Sequence, residues 1–100
     1  MLIYVDIDNT ICYNKNNDLN YNNSIPYENR IKKINDLYDN NTIVYWTARG
    51  TKTGINWFNI TYNQLKKWGC KFHELKMGKP YYDLFIDDKN INSEEYFKNI

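Results

Sequence analysis

Proline and glycine are scarce in this 100-residue chain, at two and four residues, which excludes collagen-like and linker-like architectures. Two cysteines, Cys12 and Cys70, stand without a CxxC pair, and the single histidine, His73, has no ligand spacing to either. That argues against a disulfide scaffold and against a structural zinc site. No apolar run approaches the roughly 20 residues a membrane span requires. The opening MLIYVDID places acids directly after its apolar stretch, unlike a signal peptide. Thirteen Lys and Arg balance twelve Asp and Glu, so no excess of one sign points to nucleic acid or to an anionic membrane surface. What remains is 42% hydrophobic and 17% aromatic residues, too rich for a disordered chain. The expectation is one small soluble cytoplasmic domain covering 1–100, with a core small enough that most elements must contribute to it.

Short apolar runs alternate with helical spacings. Leu2-Ile3-Tyr4-Val5 ends in acids and reads as a strand buried on both faces. Residues 11–25 are polar with scattered aromatics and read as a loop or flap. Pro26 and Glu28 suit a first helical turn, followed by Ile31, Ile34, Leu37 and Tyr38 at helical spacing. Thr42-Ile43-Val44-Tyr45-Trp46 is the clearest strand. Trp57, Phe58, Thr61, Leu65 and Trp68 predict a second helix, capped by Gly69. Cys70 to Leu75 predicts a short third strand, and Tyr82 to Ile86 a fourth, ending in Asp87-Asp88. Ser93 is the expected N-cap of a short closing helix. Alternating strands and helices imply right-handed crossovers and a small parallel sheet, an α/β Rossmann-like three-layer sandwich with helices on both faces. Ligands in such sheets bind beyond the carboxyl ends of the strands.

Four polar groups follow those strands. Asp6 and Asp8, in Asp6-Ile7-Asp8-Asn9-Thr10, lie on one face of an extended backbone. Two close carboxylates repel unless a proton or cation sits between them, and hard oxygen ligands suit Mg²⁺. One carboxylate can then act as nucleophile and the other as acid/base. Thr47-Ala48-Arg49-Gly50 offers a hydroxyl, backbone N–H groups and a guanidinium to a phosphate. Lys79 can present an ammonium, and Asp87-Asp88 a second set of hard ligands. Each motif alone also reads as a solvated turn or strand end.

Together, DxDxT after one apolar strand, Thr after the next, a later Lys and a terminal Asp-Asp resemble the haloacid dehalogenase superfamily of aspartate-nucleophile phosphotransferases. The stretches YWTARG, QLKKWG, HELKMGKPYYD and FIDDK further resemble small phosphatases of capsule and polysaccharide biosynthesis. The resemblance implies that Asp6 attacks phosphorus and that Asp8 carries the proton to the leaving oxygen and from water. Thr47 would hold a phosphoryl oxygen and Lys79 would neutralise charge, with Asn9, Thr10, Ala48 and Arg49 contacting the substrate. Mg²⁺ would be bound by Asp6, the carbonyl of Asp8, and Asp87, with Asp88 behind them or orienting Lys79. Such enzymes usually carry a cap domain, and residues 11–25 and 48–78 are too few for one. A minimal core without a cap is therefore implied, its site open or covered by a second copy, with the tyrosines of the flap as the candidate interface.

The expected function is a Mg²⁺-dependent phosphomonoesterase acting through an aspartyl phosphate, on a small sugar phosphate. The alternatives are a polynucleotide 3′-phosphatase, disfavoured by the neutral charge, and a phosphate-binding domain without turnover.

Overall fold

The computed structural model describes residues 1–100, the side chain of Asn17 excepted. In chain order the elements are β1 (Leu2–Val5), β2 (Cys12–Tyr13), β3 (Ile25–Pro26), α1 (Glu28–Asn35), β4 (Thr42–Trp46), α2 (Phe58–Lys67), β5 (Glu74–Lys76) and α3 (Ser93–Tyr96). The main sheet is parallel, ordered β1-β4-β5, with Leu2 opposite Thr42, Val5 opposite Tyr45 and Trp46 opposite Lys76. β4 lies at its centre, and Ile43, Val44 and Tyr45 are all buried, as a strand covered on both faces requires. β1 is an edge: Val5 is buried while Leu2 and Tyr4 are exposed, so the expectation of burial on both faces fails there.

Ile31 and Ile34 of α1, Leu65 of α2 and Phe97 after α3 meet Val5, Ile43, Tyr45 and Leu75 in one apolar cluster. Glu28 in the first turn of α1, and Lys32 and Lys33 in its last, complement the helix dipole. α2 ends at Gly69, whose φ of 76° is open to glycine at little cost, and the chain turns there toward β5. His73 accepts a hydrogen bond from the Ile43 amide through Nδ1 (3.0 Å) and stacks on Tyr38. Its role is structural. The closing helix begins one residue earlier than expected: Asn92 is the cap, receiving the Glu94 amide, and Ser93 is the first helical residue.

The fourth strand does not form. Residues 81–91 are exposed and unpaired, with Leu84 and Ile86 at 76% and 88% exposure. An apolar run becomes a strand only where a neighbouring strand receives its N–H and C=O groups. Here Pro80 opens the run and Asp83 interrupts it, and no partner strand lies beside it. The architecture is a small Rossmann-like α/β sandwich.

Candidate active site

The sheet delivers its polar residues to one edge. Asp6 follows β1 directly, and buried Ile7 and Ile11 anchor the turn beyond it, where the Ile7 carbonyl accepts the Thr10 and Ile11 amides. Asn9 sits at the tip with φ of 62°, a left-handed position asparagine tolerates. Its carbonyl accepts the Ser93 hydroxyl (3.2 Å), which ties the C-terminal segment to this turn.

The loops after β4 and β5 are stitched together. The Thr47 amide donates to the Lys76 carbonyl, the Lys79 amide to the Thr47 carbonyl, and the Thr51 hydroxyl to the Lys79 carbonyl. Gly50, at φ of 81°, permits the turn between them; a Cβ there would stand 2.0 Å from the Ile55 carbonyl oxygen. This stitching carries the Lys79 ammonium to 3.4 Å from Asp6 Oδ1, beside the rings of Trp46 and Tyr82. The Thr10 hydroxyl reaches the other oxygen of Asp6 at 3.3 Å. Burial pushes the Asp6 carboxyl above its ordinary pKa, opposed by the Lys79 charge and the Ile7 amide, while the Asp8 charge adds to the rise. Thr47 is buried; its hydroxyl accepts the Arg49 amide and keeps its own proton to donate. Asn9 is exposed and Ala48 half-buried at the same edge.

Asp8 has quite different surroundings. Its carboxylate is held by the Arg49 fork, Nε to Oδ2 and Nη2 to Oδ1, both 2.9 Å, and Oδ1 also takes Asn14 Nδ2 at 3.1 Å. Arg49 was expected to meet a phosphate. Instead its side chain is fully buried, so that assignment is corrected: the guanidinium faces inward because a carboxylate three residues beyond the neighbouring strand claims it.

Asp87 and Asp88 lie in the exposed 81–91 segment, where Asp87 meets only the Lys89 amide. Among the described residues no three His, Cys, Asp or Glu side chains gather into a metal site. Asp6 and Asp8 stand at the sheet edge and Asp87 in the exposed segment, and no side-chain cluster of that kind joins the three. The flap tyrosines pack within the chain: Tyr13 on Tyr27 and Tyr21 on Trp57, all four half-buried. Both cysteines are buried and free; burial and the Asp8 charge push the Cys12 thiol up to about 12, which removes it as a nucleophile.

Residues of the Asp8 surroundings that sequence reasoning missed are Asn14, Tyr21, Ser24, Thr61 and Gln64. They are polar or aromatic residues on a loop and a helix, without a motif, and only the folded chain brings them together.

No family model and no curated protein matches the chain. Among solved structures, a crystal structure of a target protein from Vibrio cholerae is similar over 95% of this chain and 85% of its own, with a TM-score of 0.83 and 25% identity. Its description names no activity. No helix here is long and apolar enough to cross a membrane.

Proposed function

We propose that the protein is a phosphomonoesterase of the haloacid dehalogenase type, with Asp6 as the nucleophile. The observation that carries the reading is the Asp6–Lys79 pair, 3.4 Å apart, with Thr47 on the intervening strand end. A half-buried carboxylate flanked by an ammonium and a hydroxyl can attack phosphorus while the charge of the transferring group is balanced. In the first step an Asp6 oxygen bonds to phosphorus, the ester P–O bond breaks, and the leaving oxygen takes a proton from Asp8. In the second, water gives that proton back to Asp8 and attacks phosphorus, releasing phosphate and the Asp6 carboxylate. Asp8 Oδ2 accepts only Arg49 Nε among the described residues, so a lone pair remains for that proton.

The substrate proposed is a small sugar phosphate, met in the cytoplasm, where free buried thiols such as Cys12 and Cys70 stay reduced. Magnesium is proposed on the order of the motifs alone. A phosphate-release screen over sugar phosphates, nucleotides and a 3′-phosphorylated oligonucleotide tests the function, with Asp6→Asn as control. Turnover of sugar phosphates that stops in EDTA and returns with Mg²⁺ is expected. Preference for the oligonucleotide would replace the substrate class, and silence across the panel would leave a domain that binds without turning over.

A further inference from the structure

The buried arginine beside Asp8 is larger in consequence than a single ion pair. All five N–H groups of the Arg49 guanidinium have acceptors. Nε and one Nη2 hydrogen form the fork on Asp8, and the other Nη2 hydrogen points to Ser24 Oγ at 3.3 Å. Nη1 donates to Gln64 Oε1 at 2.6 Å and to Thr61 Oγ1 at 3.1 Å, both on α2. The Tyr21 ring covers the guanidinium face, 4.5 Å from Cζ. The ring is fixed in turn, because Gln64 donates to the Tyr21 carbonyl and Trp57 packs edge-on against it. Ser24 donates to Asn14, and Asn14 donates to Asp8, which closes the circuit. One side chain thus joins the turn after β1, the flap over 14–24 and α2.

We propose that Arg49 is a positioning residue: it holds the Asp8 carboxylate in its working place and, through the same fork, locks the 14–24 flap onto α2. The proposal rests on the reading of Asp8 as the acid/base. A planar, always-charged fork is required, since the ammonium of lysine is a point charge that cannot span both carboxylate oxygens and two groups on α2 at once. Asp8 matters most where the leaving group needs a proton, so the effect of Arg49 must depend on the ester.

The test compares wild type, Arg49→Lys and Asp8→Asn on an alkyl phosphate and on p-nitrophenyl phosphate, together with amide hydrogen exchange over residues 12–24 without substrate. Arg49→Lys is chosen because it keeps the charge, and Ser24→Ala serves as a milder second variant. Arg49→Lys is expected to lower kcat on the alkyl phosphate by about tenfold or more, with a loss of under about threefold on the activated ester and KM little changed. In the Asp8→Asn background it should add no further loss. Exchange in the flap should rise in Arg49→Lys and, less, in Ser24→Ala. Equal losses on both esters, losses that add to those of Asp8→Asn, or a gain on the alkyl phosphate would overturn the positioning role. Unchanged flap exchange would overturn the lock. A wild type silent on both esters would instead fail the phosphatase reading, and the lock would then stand or fall on exchange alone.

Discussion

Asp6 and Asp8 are two residues apart on one extended segment, yet the fold treats them as opposites. Asp6 stands at the open edge with one ammonium at 3.4 Å and one hydroxyl, and burial leaves its charge under-compensated. Asp8 is gripped by a bidentate guanidinium, an asparagine and the flap behind them. A group that must form and break a bond benefits from few partners, because every hydrogen bond to the carboxylate lowers its nucleophilicity. A group that must hold a proton at one place benefits from a rigid mount. The contrast supports nucleophile and acid/base roles, in that order.

The strongest way to break this comparison is Asp6→Asn. Phosphate release should fall by more than about 10⁴-fold, as for loss of a nucleophile elsewhere. The same substitution should raise thermal stability. The native Asp6 keeps its proton to higher pH than the unfolded chain does, so ionising it above that range costs folding free energy. Asparagine carries no such cost, and a rise in Tm by calorimetry is expected. A fall in Tm would mean that the Lys79 pairing outweighs the burial.

Asp8→Asn comes next. It should cost about 10²–10³-fold on an alkyl phosphate and far less on p-nitrophenyl phosphate, whose leaving group needs little proton donation. Unlike Asp6→Asn it should lower Tm, because the Arg49 charge is left buried with half its fork unanswered. Opposite signs of the two Tm shifts would sharpen the comparison, and like signs would remove it.

A smaller effect concerns pH. A nucleophilic Asp6, as proposed, must be ionised to attack; burial raises its pKa above the ordinary 3.8, so the acidic limb of kcat/KM should fall off at a midpoint above that value. Lys79 opposes the rise, so Lys79→Met should move the midpoint to still higher pH. A limb that stays in place would mean that a different group is titrating.

The smallest expected effect lies outside both sites. The Tyr45 hydroxyl is buried in the core beside the Cys70 thiol, without a hydrogen bond of good geometry, and burial pushes its pKa up. Tyr45→Phe should leave activity unchanged and stabilise the fold by up to about 1 kcal/mol, read in urea melts. Lost activity in that variant would mean that core and site are coupled more tightly than their separation implies.

Two apolar runs show where sequence reading works and where it stops. TIVYW and YDLFI look alike, yet the first became the central strand and the second an exposed stretch. Periodicity and composition report a run's desire for burial, whereas pairing is decided by which edge it can reach. Gly69 as a cap, the bounds of β1, β4 and α2 within a residue, and the strand-end placement of Asp6 and Thr47 were legible. Each rests on local signals: spacing, turn residues, and the rule that parallel strands point their ends one way. The inward turn of Arg49 and its partners Gln64, Ser24 and Tyr21 were not, since 15 and 25 residues separate the first two from Arg49 with no pattern joining them.

By itself, then, the sequence determined the α/β alternation, the parallel sheet and the row of polar residues at its carboxyl edge, because strand and helix periodicities and crossover handedness are properties of short segments. Only the tertiary structure decided which of two neighbouring aspartates stands at the open edge and which is clamped, and that the run before Asp87 stays exposed. Those outcomes depend on long-range desolvation and hydrogen-bond satisfaction: a buried guanidinium must find acceptors wherever the fold supplies them, and here it found Asp8.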